Sequence, residues 1–273
     1  MSFRLEKTYV DVVTDDGSVA VFYLSRAAGR GLRWPYHAME WYPADGPVQA
    51  HHARDAQSEL LPDGHLRYRF KVGGSAVTVD AEPLESGLPR WPDSRSTISG
   101  RIAPFEWSVV SPRTRVRCLK DGAPWIDGHG YIDHVRLYRT PRRLGIRTMR
   151  WGRIHLAAGT VVFNELELED GRSLATLTRW PDGVTDPAPK LHEDGTVLTI
   201  SGAGADWKLM PDRVLHRGTI PDRRRFSRGV DRLVTRLVAG PMHETRLLSR
   251  IVDPEGIAGG WALHETVHFG REG

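Results

Sequence analysis

Apolar and polar residues alternate with a period of two along much of this chain, a pattern typical of strands that bury one face. Between residues 65 and 72, every second residue is apolar and the positions between them are arginine or lysine. A similar alternation predicts further strands over residues 18–25, 105–110, 131–138, 160–168, 173–178, 196–200 and 261–269. The chain is therefore predicted to fold into β-sheets.

Short turns separate these predicted strands. Asp-Gly pairs occur at residues 16–17, 121–122, 170–171, 182–183 and 194–195. Such pairs between alternating segments are the strongest short-range signal for a β-hairpin. Many successive hairpins predict an antiparallel, all-β fold. Because exposed sheet edges promote aggregation, closure into barrels or stacking into sandwiches is favoured.

One segment departs from the period of two. Over residues 221–237, apolar residues recur at helical spacing and arginines fill much of the remainder. Pro221 suits the first turn of a helix, whereas Gly229 weakens the helix slightly. We therefore expect a short amphipathic helix near the C-terminus. It either packs on the outside of a barrel or forms a basic surface that makes peripheral contact with the membrane through anionic lipid.

The length suits two units of similar size. Halving the 273 residues leaves about 136 per unit, which is an ordinary domain size. The Asp-Gly-Ser-Val-Ala segment at residues 16–20 recurs loosely at residues 170–175, with Arg172 inserted. We therefore predict two tandem antiparallel β-barrels, comprising residues 1–155 and 156–273. About eight strands fit in each unit, and a barrel of that size can hold one small ligand.

The composition excludes several classes of function. Basic residues exceed acidic ones by only four, 38 against 34, and they are spread through the strands, so we expect no nucleic-acid binding. The single cysteine, Cys118, rules out a disulfide framework and is better interpreted as a core residue than as a nucleophile. The twelve histidines lack a recognised ligand spacing, and no nucleotide-binding motif is present, so we expect neither a metal nor a cofactor.

No part of the sequence predicts a membrane span or a secretory signal. The chain has no uninterrupted run of the roughly 18 apolar residues that a span requires. Its first residues also lack the apolar segment of a signal peptide. We therefore expect a cytoplasmic protein, and its oligomeric state is left open.

A candidate catalytic acid lies in the middle of the chain. Residues 131–138 form a predicted strand that follows two glycines and places Tyr131 and Asp133 on one face. We expect this face to line the interior of a barrel, where a carboxyl group and a phenol would share an apolar chamber. Because desolvation raises the pKa of a buried carboxyl group, Asp133 would stay protonated near neutral pH and could donate a proton. The alternative is a structural role, with Asp133 accepting backbone hydrogen bonds or pairing with an arginine.

Two further segments carry candidate site residues. In residues 261–269, Glu265 shares a predicted apolar face with aromatic and aliphatic residues. Because an unpaired buried charge is costly, Glu265 either pairs with an arginine such as Arg153 or serves as a second acid or base. Aromatic rings and nearby cations can line a binding pocket. Our candidates for substrate binding are Trp107, Trp151, Arg153, His155 and Trp261.

The stretch Gly130-Tyr131-Ile132-Asp133-His134, followed by Met149-Arg150-Trp151-Gly152-Arg153, resembles the lipocalin-like carotenoid 1,2-hydratase (hydroxyneurosporene synthase) and AttH-type family. Residues 6–11, the Trp107 strand and the segment from 260 to 265 are also similar, so the resemblance touches most of the chain. It implies two tandem lipocalin-like barrels and would assign the family's aromatic-x-Asp acid to Tyr131 and Asp133. A His-x-Trp pair expected on the preceding strand is here Phe105-Glu106-Trp107, without the histidine.

The resemblance also implies an enzyme. Members of this family hydrate isoprenoid double bonds or cyclise them after protonation, and relatives in natural-product biosynthesis catalyse pericyclic ring closures. Our first hypothesis is a cofactor-independent hydratase or cyclase. In it Asp133, assisted by Tyr131, protonates an alkene of a hydrophobic isoprenoid or polyene, and Trp107 and Trp151 stabilise the cation. The alternatives are a pericyclase that uses the same pocket and a lipophilic-ligand binding protein without catalysis.

Overall fold

The structure of the protein is a computed structural model. It describes residues 3–29, 32–53, 56–62, 65–85, 97–98, 101–102, 105–220, 242–252 and 258–270. Strands dominate these residues, as the alternation predicts. The amphipathic helix predicted over residues 221–237 lies outside the described residues. In the part of the chain that is described, no helix is long and apolar enough to cross a membrane.

The first unit is built from eleven strands. They are β1 (Arg4–Val13), β2 (Val19–Gly29), β3 (Leu32–Tyr42), β4 (Gln49–Ala53), β5 (Gln57–Leu60), β6 (Leu66–Val72), β7 (Ser75–Pro83), β8 (Thr97–Ile98), β9 (Arg101–Ile102), β10 (Phe105–Lys120) and β11 (Ala123–Leu137). Strands β8 and β9 pair only with each other. The other nine form one sheet in the order β4-β3-β2-β1-β11-β10-β7-β6-β5.

The second unit begins with a single helical turn, α1 (Pro141–Leu144). Nine strands follow: β12 (Ile146–Leu156), β13 (Gly159–Leu168), β14 (Ser173–Trp180), β15 (Val184–Asp186), β16 (Lys190–Asp194), β17 (Val197–Gly202), β18 (Ala205–Ile220), β19 (Met242–Val252) and β20 (Ala258–Phe269). They form a sheet in the order β15-β14-β13-β12-β20-β19-β18-β17-β16. In both sheets the first strand of the unit pairs with its last, and the strand pairs are antiparallel.

The first sheet curls around an apolar core. Strand β6 alternates as predicted, and its four apolar residues are buried. They pack with core-facing residues of the central strands, among them Val10, Phe22 and Ile132. Cys118 belongs to the same core, where burial raises the pKa of its thiol, in agreement with its interpretation as a core residue.

The second sheet curls in a similar way. Its core contains Ile154, Phe163 and Ala262 from three neighbouring strands. Arg150 in the middle of the sheet donates a hydrogen bond to Glu193 of the edge strand β16 at 3.1 Å. Four strands separate β12 from β16 in the sheet order, so this contact requires the sheet to bend back on itself.

The described residues divide into two compact units between Thr140 and Pro141. The sequence predicts two units of this kind, with the boundary after residue 155. Strand β12 nevertheless pairs along its length with β13 and β20, both in the second sheet. β12 belongs to the second unit because it pairs with β20, at the far end of the chain. No local change in composition marks the boundary before Pro141.

Candidate functional site

Asp133 and Tyr131 lie on the face of β11 that is opposite to the core of the first unit. Ile132, between them, is a core residue, and successive side chains of a strand point to opposite faces. The expectation that Tyr131 and Asp133 line the barrel interior is therefore wrong. Both are nevertheless buried, with 0% and 3% of their surface exposed. Because both faces of β11 are buried here, the alternation could not show which face is the interior.

The indole of Trp107 fixes the carboxyl group of Asp133. Strands β10 and β11 are paired so that Trp107 lies opposite Val135, two residues from Asp133 on the same face. The Nε1–H of Trp107 donates a hydrogen bond to Oδ2 of Asp133 at 3.0 Å. Trp107 is itself buried, so the acid is held within an aromatic environment.

Strand β1 adds a tyrosine and a second carboxyl group beside this acid. Tyr9 lies directly opposite Asp133, and Asp11 lies opposite Tyr131. Both β1 residues are buried. The rings of Tyr9 and Tyr131 meet edge to face, with centroids 6.4 Å apart. These β1 residues are not among the predicted site residues, although Tyr9 and Asp11 alternate with Val10 and Val12 in the sequence.

At one end of this face the residues become more accessible. Tyr23 and Lys7 are half-buried, and the rings of Tyr9 and Tyr23 meet edge to face at 5.7 Å. The Nζ atom of Lys7 lies 5.7 Å from the ring centroid of Tyr9 and 5.8 Å from that of Tyr23. We call this group of residues the Asp133 site: Lys7, Tyr9, Tyr23, Trp107, Tyr131 and Asp133.

In the second unit, Glu265 is part of a buried ion pair. Its Oε1 atom accepts a hydrogen bond from Nε of Arg246 at 2.5 Å, and its Oε2 atom accepts one from Nε1 of Trp151 at 3.1 Å. Arg246 also pairs with Glu244 at 2.9 Å, and it is fully buried. The arginine that pairs with Glu265 is thus Arg246 rather than Arg153. Because both oxygens accept hydrogen bonds, this arrangement suits a structural role.

Three of the predicted binding residues meet in the second unit. The indole of Trp261 stacks on the imidazole of His155, with centroids 4.4 Å apart and an interplanar angle of 19°. The guanidinium carbon of Arg153 lies 5.0 Å from the Trp261 ring centroid. Arg153 and His155 are buried, whereas Trp261 is half-buried. Trp151 shares their face of β12, while Trp107 belongs to the first unit.

The histidines do not form a metal site in the part of the chain that is described. No group of three or more histidine, cysteine, aspartate or glutamate side chains in those ranges is arranged to hold a metal ion. His264 is fully buried on the core face of β20, and its Nε2 atom lies 2.9 Å from Oγ of Ser249. Burial lowers the pKa of His264 to about 4, so its ring is neutral at physiological pH.

Comparison with known proteins identifies the fold. No protein-family model matches the sequence, and no curated protein matches it either. Among solved structures, an AttH protein from Nitrosomonas europaea matches with a TM-score of 0.68 and 12% identity, covering 99% of this chain and 93% of that one. CghA matches with a TM-score of 0.66 and 13% identity over 98% and 90% of the two chains.

Kievitone hydratase from Nectria haematococca also matches, with a TM-score of 0.53 and 10% identity over 97% of this chain and 88% of that one. A second crystal structure of CghA contains Sch210972. These matches cover both units. They confirm the AttH-type fold of two tandem lipocalin-like barrels that the sequence motifs predict.

Proposed function

We propose that this protein is an enzyme that protonates a carbon–carbon double bond of a hydrophobic substrate, with Asp133 as the acid. The observation that carries this proposal is the setting of Asp133, a buried carboxyl group between Trp107, Tyr9 and Tyr131. Removal from water favours the neutral, proton-donating form of a carboxyl group. Aromatic rings stabilise a nearby cation through their electron-rich faces.

The proposed reaction begins with transfer of the Asp133 proton to one alkene carbon. A C–H bond forms, and the π electrons leave a carbocation at the other carbon, close to the aromatic rings. Water or a second alkene of the substrate then adds to the cation. Loss of a proton to the Asp133 carboxylate completes the reaction and restores the acid. General-acid catalysis contributes roughly 10²–10⁴-fold, and exclusion of bulk water protects the cation.

The structural matches support the class of reaction. Kievitone hydratase shares the fold across both units, and its name describes addition of water to its substrate. Because one fold hosts many functions, this likeness supports a hydratase or cyclase without identifying a substrate. The resemblance of the sequence motifs to the carotenoid hydratase family favours an isoprenoid or a polyene. The proposed step uses only Asp133 and water, so we propose that no organic cofactor takes part.

A solvent-isotope experiment tests this proposal. Isoprenoids and polyenes would be incubated in D₂O with the wild-type protein, Asp133→Asn and Asp127→Asn, and products analysed by mass spectrometry and NMR. We expect one deuterium on a product carbon and a loss of turnover of roughly 100-fold or more in Asp133→Asn. Asp127 is an exposed aspartate on the same strand, so Asp127→Asn serves as the matched control with wild-type turnover.

Two other outcomes would contradict proton transfer. A cyclised product without deuterium would favour a pericyclase, which holds a reactive conformer and depends on hydrogen-bond donors such as the Tyr9, Tyr131 and Trp107 side chains. A lipophilic compound that binds tightly and is recovered unchanged would favour a binding protein. Equal turnover by wild type and Asp133→Asn would exclude Asp133 as the acid.

A further inference from the structure

We propose that Lys7 binds an anionic group of the substrate. The ligand of the Asp133 site would then be an amphiphile, with a carboxylate or similar anion at one end and a hydrocarbon chain that lies over Tyr9 and Tyr23. This inference rests on the proposed function, because it assumes that the Asp133 site binds the substrate, and it adds the chemical class of that substrate.

The ammonium of Lys7 lies close to the aromatic rings of the Asp133 site. Lys7 is two residues before Tyr9 on the same face of β1, opposite Val135 and Ser25 on the neighbouring strands. Its Nζ atom lies within 6 Å of both the Tyr9 and Tyr23 ring centroids. Cation–π attraction acts over this range. The ammonium of Lys7 therefore lies over the rings of Tyr9 and Tyr23.

The positive charge of Lys7 is available to an anionic ligand. Among the described residues, no acidic side chain forms an ion pair with Lys7. The adjacent glutamate, Glu6, pairs with Arg4 at 2.5 Å and with Arg136 at 3.5 Å. The ammonium of Lys7 thus keeps hydrogen-bond donors for a ligand. A charge that is half-buried attracts an anion more strongly than one in bulk water, because the local dielectric constant is lower.

Exposure to solvent decreases along this face from Lys7 toward Asp133. Lys7 and Tyr23 are half-buried, whereas Tyr9 and Asp133 are almost fully buried. An amphiphile would place its anionic group at the accessible end and its apolar chain toward the buried acid. Two residues along a strand span roughly 7 Å, so the reacting double bond would lie about that far from the anion. Lys7 would thereby select which alkene meets Asp133.

Two fluorescent dyes that differ in charge test this inference. 1-Anilinonaphthalene-8-sulfonate is anionic, and N-phenyl-1-naphthylamine has the same rings without the sulfonate. We expect Lys7→Met to weaken binding of the anionic dye about tenfold, the scale of one charge-assisted hydrogen bond, and to leave the affinity for the neutral dye unchanged. Lys7→Arg should retain most of the affinity for the anionic dye. Tyr23→Leu should weaken binding of both dyes, which would locate them at this site.

Lys71→Met is the matched control, because Lys71 is an exposed lysine on β6, and it should bind both dyes as the wild type does. The inference is overturned if Lys7→Met binds the anionic dye normally, if it loses both dyes equally, or if neither dye binds. Dye binding requires no proton transfer. Failure of the dye experiment would therefore reject only the binding of an anion by Lys7. Failure of deuterium incorporation would reject Asp133 as the acid without affecting the proposal for Lys7.

Discussion

The side chains of Asp133 and Glu265 each accept a hydrogen bond from an indole N–H. Trp107 donates to Asp133 and Trp151 donates to Glu265 at nearly the same distance. Glu265 is also paired with the guanidinium of Arg246, and Tyr9 lies opposite Asp133. An arginine beside a carboxylate fixes its charge and position. We therefore interpret Glu265 as a structural residue, and proton transfer by Asp133 is the step that we propose.

This assignment predicts a large stability effect at Arg246. Arg246→Met would leave the buried carboxylates of Glu244 and Glu265 without their shared cation, and we expect a loss of about 3–5 kcal/mol in the free energy of unfolding. Urea unfolding would measure it. Arg250→Met is the matched control on the same strand, because Arg250 is 74% exposed and pairs with Asp212 at the surface; it should cost less than about 1 kcal/mol. Equal losses would refute a structural role for the buried pair.

Candidate residues can be picked out from the sequence where one strand carries the signal. Tyr131 and Asp133 stand out because a carboxyl group and a phenol share an alternating face within a few residues. Lys7, Tyr9 and Arg246 did not stand out, because their importance depends on which strand lies beside theirs. Tyr9 meets Asp133 only through the pairing of β1 with β11, and these strands lie at opposite ends of the first unit. Local periodicity contains no information about that register.

At the scale of the elements, two glycines allow β11 to approach β1 closely. Gly128 and Gly130 lie on the core face of β11, in alternation with Ile132. A Cβ atom on Gly130 would be 1.8 Å from the carbonyl oxygen of Asp11, and one on Gly128 would be 2.3 Å from that of Val13. The missing side chains therefore permit the close approach that holds Tyr9 and Asp11 beside Tyr131 and Asp133.

We expect Gly130→Ala to destabilise the protein by about 3 kcal/mol, because overpacking against a backbone atom forces the two strands apart. The matched control is Gly218→Ala on β18, where the nearest atom to an added Cβ is a His216 ring carbon at 3.5 Å. This control should be neutral or slightly stabilising, since alanine reduces the entropy of the unfolded chain. Thermal unfolding of both variants would measure the difference, and a wild-type melting temperature for Gly130→Ala would contradict the proposed role.

The alternation located the strands better than it located their ends and faces. The strand predicted over residues 105–110 extends in the structure to Lys120 as β10. Its pairing with β11 shifts register between Val109 and Ser111 and again before Thr114. Each irregularity changes which face the following side chains occupy. A search for strict alternation therefore stops at the first bulge, although the strand continues.

At the scale of the whole molecule, the same strand order is built twice from different residues. The two nine-stranded sheets place corresponding strands in corresponding positions. In the sequence, only the loose recurrence of residues 16–20 at residues 170–175 suggests this repetition. Turn residues recur because the hairpins need them. Core residues need only be apolar and of suitable volume. The all-β class and the two units were therefore predictable, whereas the position of the boundary depended on long-range pairing.

Acid sensitivity is also a property of the whole molecule. His37, His51 and His129 in the first unit have a lowered pKa, with burial as the largest cause and nearby cations as the next. His264 in the second unit has its pKa lowered to about 4 by burial alone. Below pH 6.5 these histidines bind protons more readily in the unfolded chain than in the folded protein. These four histidines therefore lower the free energy of unfolding as the pH falls.

His264 should make the largest measurable contribution to this loss. A histidine with a pKa of about 4 when folded and about 6.5 when unfolded loses about 2 kcal/mol of stability between pH 7.5 and pH 5. His264→Gln keeps a hydrogen-bonding group near Ser249 but does not titrate. Urea unfolding at these two pH values should therefore show that the free energy of unfolding falls by about 2 kcal/mol less in this variant than in the wild type. His268→Gln, at an exposed histidine on the same strand, should retain the wild-type dependence. If His264→Gln loses as much stability as the wild type, the buried ring is not the titrating group.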